Sequence, residues 1–184
     1  MEFSELEDVA SESTQGTSQV IMATASYDHT IRFWDVIQAK VIRTLQHNES
    51  QVNAMCIAKD KSMLVVAGNP KIKIFEALGS KGIPVRVYSG HEGNVLSLSL
   101  QNENNWLLSS GEDGTLRVWD LRTSKCQKKI DNDKTVAIRG GKTPFGSACL
   151  FPNQREAFTS DLDGRVRIWD LGEGKCSKEI IVAS

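Results

Sequence analysis

One twelve-residue unit recurs three times along this chain of 184 residues. Its clearest copy reads SSGEDGTLRVWD and runs from Ser109 to Asp120. The other two copies begin at Thr24 and Thr159 and read TASYDHTIRFWD and TSDLDGRVRIWD. Each has a hydroxyl residue ten positions before a Trp, an Asp six positions before it, and an alternating apolar segment in between. Alternation with a period of two predicts a β-strand that turns one face towards a core.

A fourth, weaker copy lies between the first two. It reads NPKIKIFE, with Asn69 at the Asp position, Phe75 at the Trp position and Glu76 at the final Asp position. The four aromatic anchors therefore lie 41, 44 and 50 residues apart. A period of about 40 to 45 residues that ends in Trp-Asp is typical of WD-repeat β-propeller blades. The sequence thus predicts an all-β propeller with about four blades.

The spacing of strand and turn signals divides the chain further. Three strands are expected in the first unit and four in each of the others, with blade boundaries at 20–50, 51–90, 91–131 and 132–184. The extra residues of the last spacing fall in 131–144, where we expect a long loop. Residues 1–19 contain five acidic residues and no Lys or Arg, so a disordered acidic tail is expected there.

The repeat residues predict a structural hydrogen-bond network. In the third blade, a buried His91 can donate one ring N–H to Asp113 and accept from Ser109 with its other nitrogen. Ser109 can also accept the indole N–H of Trp119. Left unpaired inside the protein, such groups would each cost about 1–3 kcal/mol. The same positions without His are Thr24, Asp28 and Trp34 in the first blade and Thr159, Asp163 and Trp169 in the fourth.

The side chains of Ser109, His91 and Asp113 are also those of a hydrolytic triad. We favour the structural interpretation because the same positions recur twice without His. In addition, Trp119 is expected to fill the space that a substrate would need. The sequence therefore predicts no catalytic residue and no enzymatic activity.

Two further patterns are weak candidates for ligand sites. The segment RGGKT (139–143) lacks the first Gly of a phosphate-binding loop, since Val136 stands there, and Pro144 follows where a helix would begin. His29 and His47 lack Cys or acidic partners at metal-ligand spacing and are expected in turns. No cofactor and no metal site is therefore predicted.

Composition limits the possible partners and the compartment. The net charge of −1 gives no global attraction to nucleic acid, and no apolar run approaches the roughly 18 residues of a membrane span. The four cysteines form no C-x-x-C pair. Cys126 and Cys176 each follow a repeat Trp by seven residues and are interpreted as equivalent packing positions. We expect a reducing, cytoplasmic setting without nucleic-acid binding or membrane insertion.

The chain also resembles a particular WD-repeat family. The first repeat, TLQHNESQVNAM, DKSMLVVAG and FPNQ are similar to segments of the small WD-repeat subunit of the TOR kinase complexes, the G-protein β-subunit-like protein. The resemblance runs from Val20 to about Leu171 except for 131–144, and 20–53 is its most specific part. It implies a non-catalytic, seven-bladed scaffold that binds the TOR kinase catalytic domain and other TOR complex subunits. It also implies roles in growth signalling and actin organisation, but it identifies no kinase-contacting residue.

Two other functional interpretations remain open. The chain could be a WD-repeat adaptor of another assembly, such as a ubiquitin ligase, or a truncated isoform without activity. Seven blades of about 45 residues need roughly 300 residues, so we expect an N-terminal part with an incomplete ring. An open fourth blade should expose an apolar face. We therefore expect poor solubility of the chain alone, or assembly with another copy or with the missing half.

Overall fold

The computed structural model describes residues 21–77, 79, 81–132 and 143–182. These residues form fifteen strands in four antiparallel sheets, and no helix occurs among them. The predicted all-β fold with four blade-like units is confirmed. The proposed acidic tail (1–19) and most of the proposed loop (131–144) lie outside the described residues, and there is no described helix of the length and hydropathy needed to cross a bilayer.

Each sheet is a meander in which every strand pairs with the next one along the chain. Blade one contains β1 (Ile21–Ala25), β2 (Thr30–Asp35) and β3 (Lys40–Gln46). Blade two contains β4 (Ala54–Ile57), β5 (Met63–Ala67), β6 (Ile72–Glu76) and β7 (Arg86–Tyr88). Blade three contains β8 (Val95–Leu100), β9 (Trp106–Gly111), β10 (Thr115–Asp120) and β11 (Cys126–Asp131). Blade four contains β12 (Phe145–Leu150), β13 (Glu156–Asp161), β14 (Arg165–Asp170) and β15 (Lys175–Ile181).

The turn before the Trp-bearing strand is closed by an acidic side chain. In blade three, Asp113 Oδ1 accepts the backbone N–H of Thr115 at 3.1 Å and its hydroxyl at 2.8 Å. The same turn in blades one, three and four has a residue of positive φ, namely His29 (63°), Gly114 (65°) and Gly164 (73°). Gly adopts a positive φ without strain, and this backbone requirement explains why two of the three turns have Gly at that position.

The Asp of each Trp-Asp pair closes the following turn. Asp35 Oδ1 accepts the N–H of Gln38 at 2.9 Å, and Asp120 Oδ1 accepts that of Arg122 at 2.7 Å. Asp170 Oδ1 does the same for Glu173 at 2.9 Å. The Trp-Asp signature is therefore a core aromatic residue joined to the residue that starts the turn towards the outer strand.

The hydrophobic core lies between the blades, in one cluster for each pair of neighbours. In every cluster the earlier blade contributes an apolar triad, defined as two residues of the strand that holds its Trp-position residue and one residue of the outer strand that follows. The later blade contributes the aromatic residue at its Trp position, which is Phe75, Trp119 or Trp169. The triads are Ile31, Phe33 and Leu45 in blade one, Ile72, Ile74 and Tyr88 in blade two, and Leu116, Val118 and Ile130 in blade three.

The predicted packing role of Cys126 and Cys176 is wrong, since both residues are exposed. Each lies at or near the start of an outer strand, which has a neighbour on one side only. The thiol of Cys126 donates to the carbonyl of Lys128 at 3.3 Å, and that of Cys176 to the carbonyl of Lys178 at 3.3 Å. The cysteine that packs against a core cluster is Cys56, where burial raises the thiol pKa to about 12.

Replacement of one triad residue should measure the strength of a blade interface. Leu116 is fully buried, so Leu116→Ala should lower the free energy of unfolding by about 2–5 kcal/mol through lost contacts and a residual cavity. The matched control is Ile37→Ala, because Ile37 is 75% exposed and its change should stay within about 0.5 kcal/mol. Urea unfolding followed by Trp fluorescence measures both. Equal unfolding midpoints for the two variants would contradict the assigned interface.

Candidate functional site

Blade three contains the complete polar network. His91 Nδ1 lies 2.9 Å from Asp113 Oδ2, and His91 Nε2 lies 2.7 Å from Ser109 Oγ. The indole N–H of Trp119 donates to the same Ser109 oxygen at 2.8 Å. Four parts of the chain therefore meet here: the segment before β8, strand β9, the following turn and strand β10. The network joins the inner edge of the blade to its aromatic anchor.

The network is closed to solvent. Ser109 is fully buried, and the side chains of His91 and Asp113 are only 1% and 6% exposed. Burial raises the pKa of Asp113. The hydrogen bond and charge of His91, together with the hydrogen bonds of Thr115, lower this pKa by a larger amount, so that it lies well below its usual range. The backbone N–H of Glu92 adds a bond to Asp113 Oδ2 at 3.1 Å. The carboxylate is therefore held in its charged form by several donors.

Blades one and four share the aromatic half of this network. The indole N–H of Trp34 donates to Thr24 Oγ1 at 2.8 Å, and that of Trp169 donates to Thr159 Oγ1 at 2.8 Å. The acidic half differs between them. Asp28 pairs with Arg32 at 2.8 Å in an exposed turn, whereas Asp163 accepts the hydroxyl of Thr143 at 2.8 Å.

A buried arginine of blade four was not predicted from the sequence. Arg167 is 3% exposed, and its Nη1 lies 2.6 Å from Asp161 Oδ2 and 2.6 Å from Asn132 Oδ1. Its Nε lies 2.6 Å from Glu179 Oε2. The signal was present, since each of the three Trp-Asp copies has Arg two positions before Trp, and that spacing places Arg and Trp on the same face of the strand.

His47 lies directly after β3 and before the turn residues 48 and 49, as predicted, but its side chain is buried, since the residue is only 1% exposed. Its Nδ1 lies 2.8 Å from the carbonyl oxygen of Ser50. A Cβ at Gly68 would lie 2.9 Å from the His47 ring and 2.0 Å from Ser50 Oγ, so only Gly fits there without a shift. His91 has a similar neighbour, because a Cβ at Gly111 would lie 3.2 Å from its Nδ1. His47 thus packs against Gly68, which directly follows β5, and His91 packs against Gly111, the last residue of β9. β5 and β9 are the second strands of blades two and three.

The blade-three network links Asp113, His91 and Ser109 in the same sequence of hydrogen bonds as a hydrolytic triad, but it lacks an accessible nucleophile. The Ser109 oxygen accepts from Trp119 and is sealed from solvent, which leaves no position for a substrate carbonyl. Within the described residues, no group of three His, Cys, Asp or Glu side chains is arranged to hold a metal ion. Most of the RGGKT segment lies outside the described residues. The hydrogen-bond network of blade three is therefore suited to stiffening the blade.

Comparison with known proteins agrees with this geometry. The pattern of the WD domain, G-beta repeat, matches residues 9–35, 39–76 and 82–120, which together are more than half of the chain. The chain belongs to the WD40-repeat family. Blade four of this WD40 protein lies outside the matched ranges, yet it shares the antiparallel meander of the other blades and the indole-to-hydroxyl hydrogen bond of blades one and three.

This WD40 protein is similar to curated subunits of target of rapamycin complexes. It is 40% identical over 142 residues to the subunit wat1 of Schizosaccharomyces pombe, which covers 77% of this chain and 42% of the relative. It is 38% identical over 137 residues to LST8 of Saccharomyces cerevisiae (74% and 42%). It is 40% identical over 137 residues to LST8-1 of Arabidopsis thaliana (74% and 42%). The predicted resemblance is confirmed, and the chain spans less than half of the length of these relatives.

Removal of the aromatic anchor should destabilise blade three strongly. Trp119→Ala should lower the free energy of unfolding by about 3–5 kcal/mol, because Trp119 is 2% exposed and packs against blade two. Trp119→Phe keeps most of the packing and loses the bond to Ser109, so a smaller loss of about 1–3 kcal/mol is expected. Chemical denaturation monitored by circular dichroism measures both losses. A Trp119→Ala protein as stable as the wild type would disprove the assigned role.

Asp113 should make stability depend on acid pH. Its pKa is lower in the folded than in the unfolded state, so its charge contributes stability above the unfolded value of about 3.9. That stability is lost as the pH falls through the lower, folded-state pKa. The Asp113→Asn variant should be less stable at neutral pH and should lose less stability on acidification. Thermal melting between neutral and strongly acidic pH tests this, and parallel curves for the two proteins would refute it.

Proposed function

We propose that this chain is a non-catalytic WD40 scaffold subunit of a target of rapamycin kinase complex, where it binds the kinase catalytic domain and supports growth signalling and actin organisation. The observation that carries the proposal is its similarity to subunits of such complexes in two yeasts and a plant. The similarity extends over about three quarters of this chain. Because the chain spans less than half of each relative, kinase binding is a property to be tested on this protein itself.

The site geometry supports a scaffold role in a specific way. In blade three, His91 bonds to both Asp113 and Ser109, and in blade four Nη1 of Arg167 bonds to Asp161. Such buried hydrogen bonds stiffen the blades and fix the positions of their surface residues. A preorganised surface loses little conformational entropy when it binds a partner. The four cysteines are free, which agrees with a cytoplasmic location.

The outer edge of blade two offers a surface for such binding. Ile83, Val85 and Val87 alternate along and just before β7 and are 67%, 51% and 43% exposed. The backbone N–H of Val85 donates to the carbonyl of Ile74 at 2.8 Å, which extends the pairing of the outer strand and holds this apolar stripe in place. An exposed apolar stripe on an ordered strand is a favourable contact for a protein partner. We assign it to contact with the kinase complex.

Affinity purification of the tagged chain from cells tests the proposal. The TOR kinase should be recovered with the wild-type chain, and Val85→Glu should reduce the recovered kinase at least about tenfold, the equivalent of about 1.4 kcal/mol. The matched control is Leu162→Glu, since Leu162 is 72% exposed in the turn between β13 and β14 and lies on a different blade. Its recovery of kinase should equal that of the wild type.

The same experiment distinguishes the alternatives. Recovery of ubiquitin-ligase subunits without the kinase would favour an adaptor of that assembly. Recovery of neither would favour a chain without scaffold activity. Equal kinase recovery by the wild type and Val85→Glu would leave the scaffold role in place and refute the assigned contact surface.

A further inference from the structure

Trp106 is the one tryptophan of the four in this chain that does not occupy a repeat position. It begins β9 and pairs with Asp120 in the register of blade three. The residues that pair in the same way with the Asp or Glu of the other blades are Ile21, Met63 and Glu156. An aromatic side chain at this position is therefore not required by the repeat.

Trp106 lines a cleft of about 510 Å³ between blades three and four. The apolar part of the cleft also contains Val118 and Leu171, which are each 8% exposed, beside the half-buried indole ring. The three repeat tryptophans donate their indole N–H to a hydroxyl oxygen, whereas that of Trp106 has no acceptor within the described residues. Trp106 thus offers both an apolar surface and a hydrogen-bond donor to a ligand.

A second residue of the cleft, Arg155, also differs from its counterparts in the repeat. The carbonyl groups of Ser62, Asn105 and Arg155 each accept the N–H that follows the Trp-Asp position of their blade, at 3.1, 3.0 and 2.9 Å. This backbone role is common to the three blades, but only blade four has a charged side chain there. Arg155 is exposed, and only its backbone forms hydrogen bonds with other described residues. Its guanidinium group is therefore available to a ligand.

The other charged groups of the cleft are used within the protein. Lys128 donates to the carbonyl oxygens of Leu171 at 2.9 Å and of Gly172, so it ties blade three to blade four. Asp170 Oδ1 accepts the N–H of Glu173 and closes a turn. Two cationic residues and one acidic residue line the cleft, which therefore has one net positive charge. Of these three residues, Arg155 alone has a side chain without a described partner.

The cleft is built by the facing sides of two four-stranded blades that share a core cluster. In β10, the last residue Asp120 pairs with Trp106 and the first residue Thr115 pairs with Asp131. The cleft thus lies at the end of blade three opposite to Asp131, after which the described range is interrupted. By the pattern of the three interfaces, a further blade would pack on the opposite face of blade four. The cleft is therefore a property of this pair of blades.

The chemistry of the cleft fits an extended peptide with an apolar and an acidic side chain. Gln127 and Gln154 line it and have amide groups of the kind that pair with a peptide backbone. One guanidinium group can bind a carboxylate through two parallel hydrogen bonds. Phosphorylated peptides are recognised by clusters of Arg, and here a single free Arg155 lies in a cleft that also contains Asp170. A carboxylate is therefore the better match.

We propose that this cleft binds a short extended segment of a partner protein. An apolar or aromatic side chain of the segment packs on Trp106, and an Asp or Glu side chain pairs with Arg155. The inference does not rest on the proposed role in a kinase complex, because it concerns a different pair of blades from the apolar stripe of blade two.

Fluorescence anisotropy of labelled peptides with the purified chain tests the proposal. The probes are short peptides of Gly and Ser that contain one Phe and one Asp, with every spacing between the two represented. At least one spacing should bind with a stoichiometry of one peptide per chain. Replacement of its Asp by Asn should raise the dissociation constant at least about fivefold, and replacement of its Phe by Ser should do the same.

Variants of the chain locate the site. Arg155→Glu should raise the dissociation constant of the Asp peptide at least about tenfold and should make the matching Lys peptide the better ligand, which a merely structural role would not do. Trp106→Leu keeps an apolar side chain and should weaken binding about fivefold. The matched control is Lys59→Glu, because Lys59 is exposed in the corresponding turn of blade two and its charge change is the same. Its dissociation constant should equal that of the wild type.

Far-ultraviolet circular dichroism shows that each variant keeps its β-structure before binding is compared. Failure of every Phe and Asp peptide to bind, or equal binding by the wild type and folded Arg155→Glu, would overturn the proposal. A peptide with phosphoserine in place of Asp that binds more tightly would overturn the choice of a carboxylate. Saturation well below one peptide per folded chain would show that a second copy or the chain's own residues fill the cleft, which would also overturn it.

Discussion

The insertion of one blade's aromatic anchor into the apolar triad of the preceding blade is the interaction on which this structure depends. A meander of three or four strands has two faces and cannot bury both by itself, so each blade needs a neighbour. Burial of one aliphatic side chain contributes about 1.5–3 kcal/mol, and each triad contains three apolar residues. This contact between an anchor and a triad occurs at all three blade interfaces. The side chains differ from one interface to the next, but the geometry of the contact is the same.

The polar groups behind each anchor vary more than the anchor itself. Blade three uses His91 with Asp113, whereas blade four pairs Arg167 with Asp161 and Glu179. In blade one, Asp28 pairs with Arg32 in an exposed turn. A buried donor or acceptor has to be paired, but several combinations of side chains can supply the bond. The indole-to-hydroxyl bond is common to all three blades because it fixes the orientation of the ring against the triad.

Much of the candidate site could be predicted because it depends on local spacing. Ser109 and Trp119 lie diagonally on two paired strands, since Ser109 is opposite Arg117, two residues before Trp119. Asp113 lies in the turn that joins these strands, so a fixed sequence separation brings the three side chains together. His91 is more distant, yet it precedes the first strand of the same blade. The partners of Arg167 could not be predicted in this way, because Asn132 and Glu179 belong to other strands or segments. The exposure of Cys126 and Cys176 likewise depends on their place in outer strands.

The sequence by itself determined the strand pattern, the number of repeats and the residues of the local networks. These follow from the two-residue period of strands and from turn geometry, which are properties of short segments. Only the tertiary structure decided which face of each blade is covered, because burial depends on the neighbouring blade. Trp34 and Trp169 are equivalent in sequence, but Trp169 is buried against blade three, while Trp34 is half-buried in blade one, which has a described neighbour on one face only. This difference in burial arises from the position of each blade in the stack, and the residues of a single repeat do not determine it.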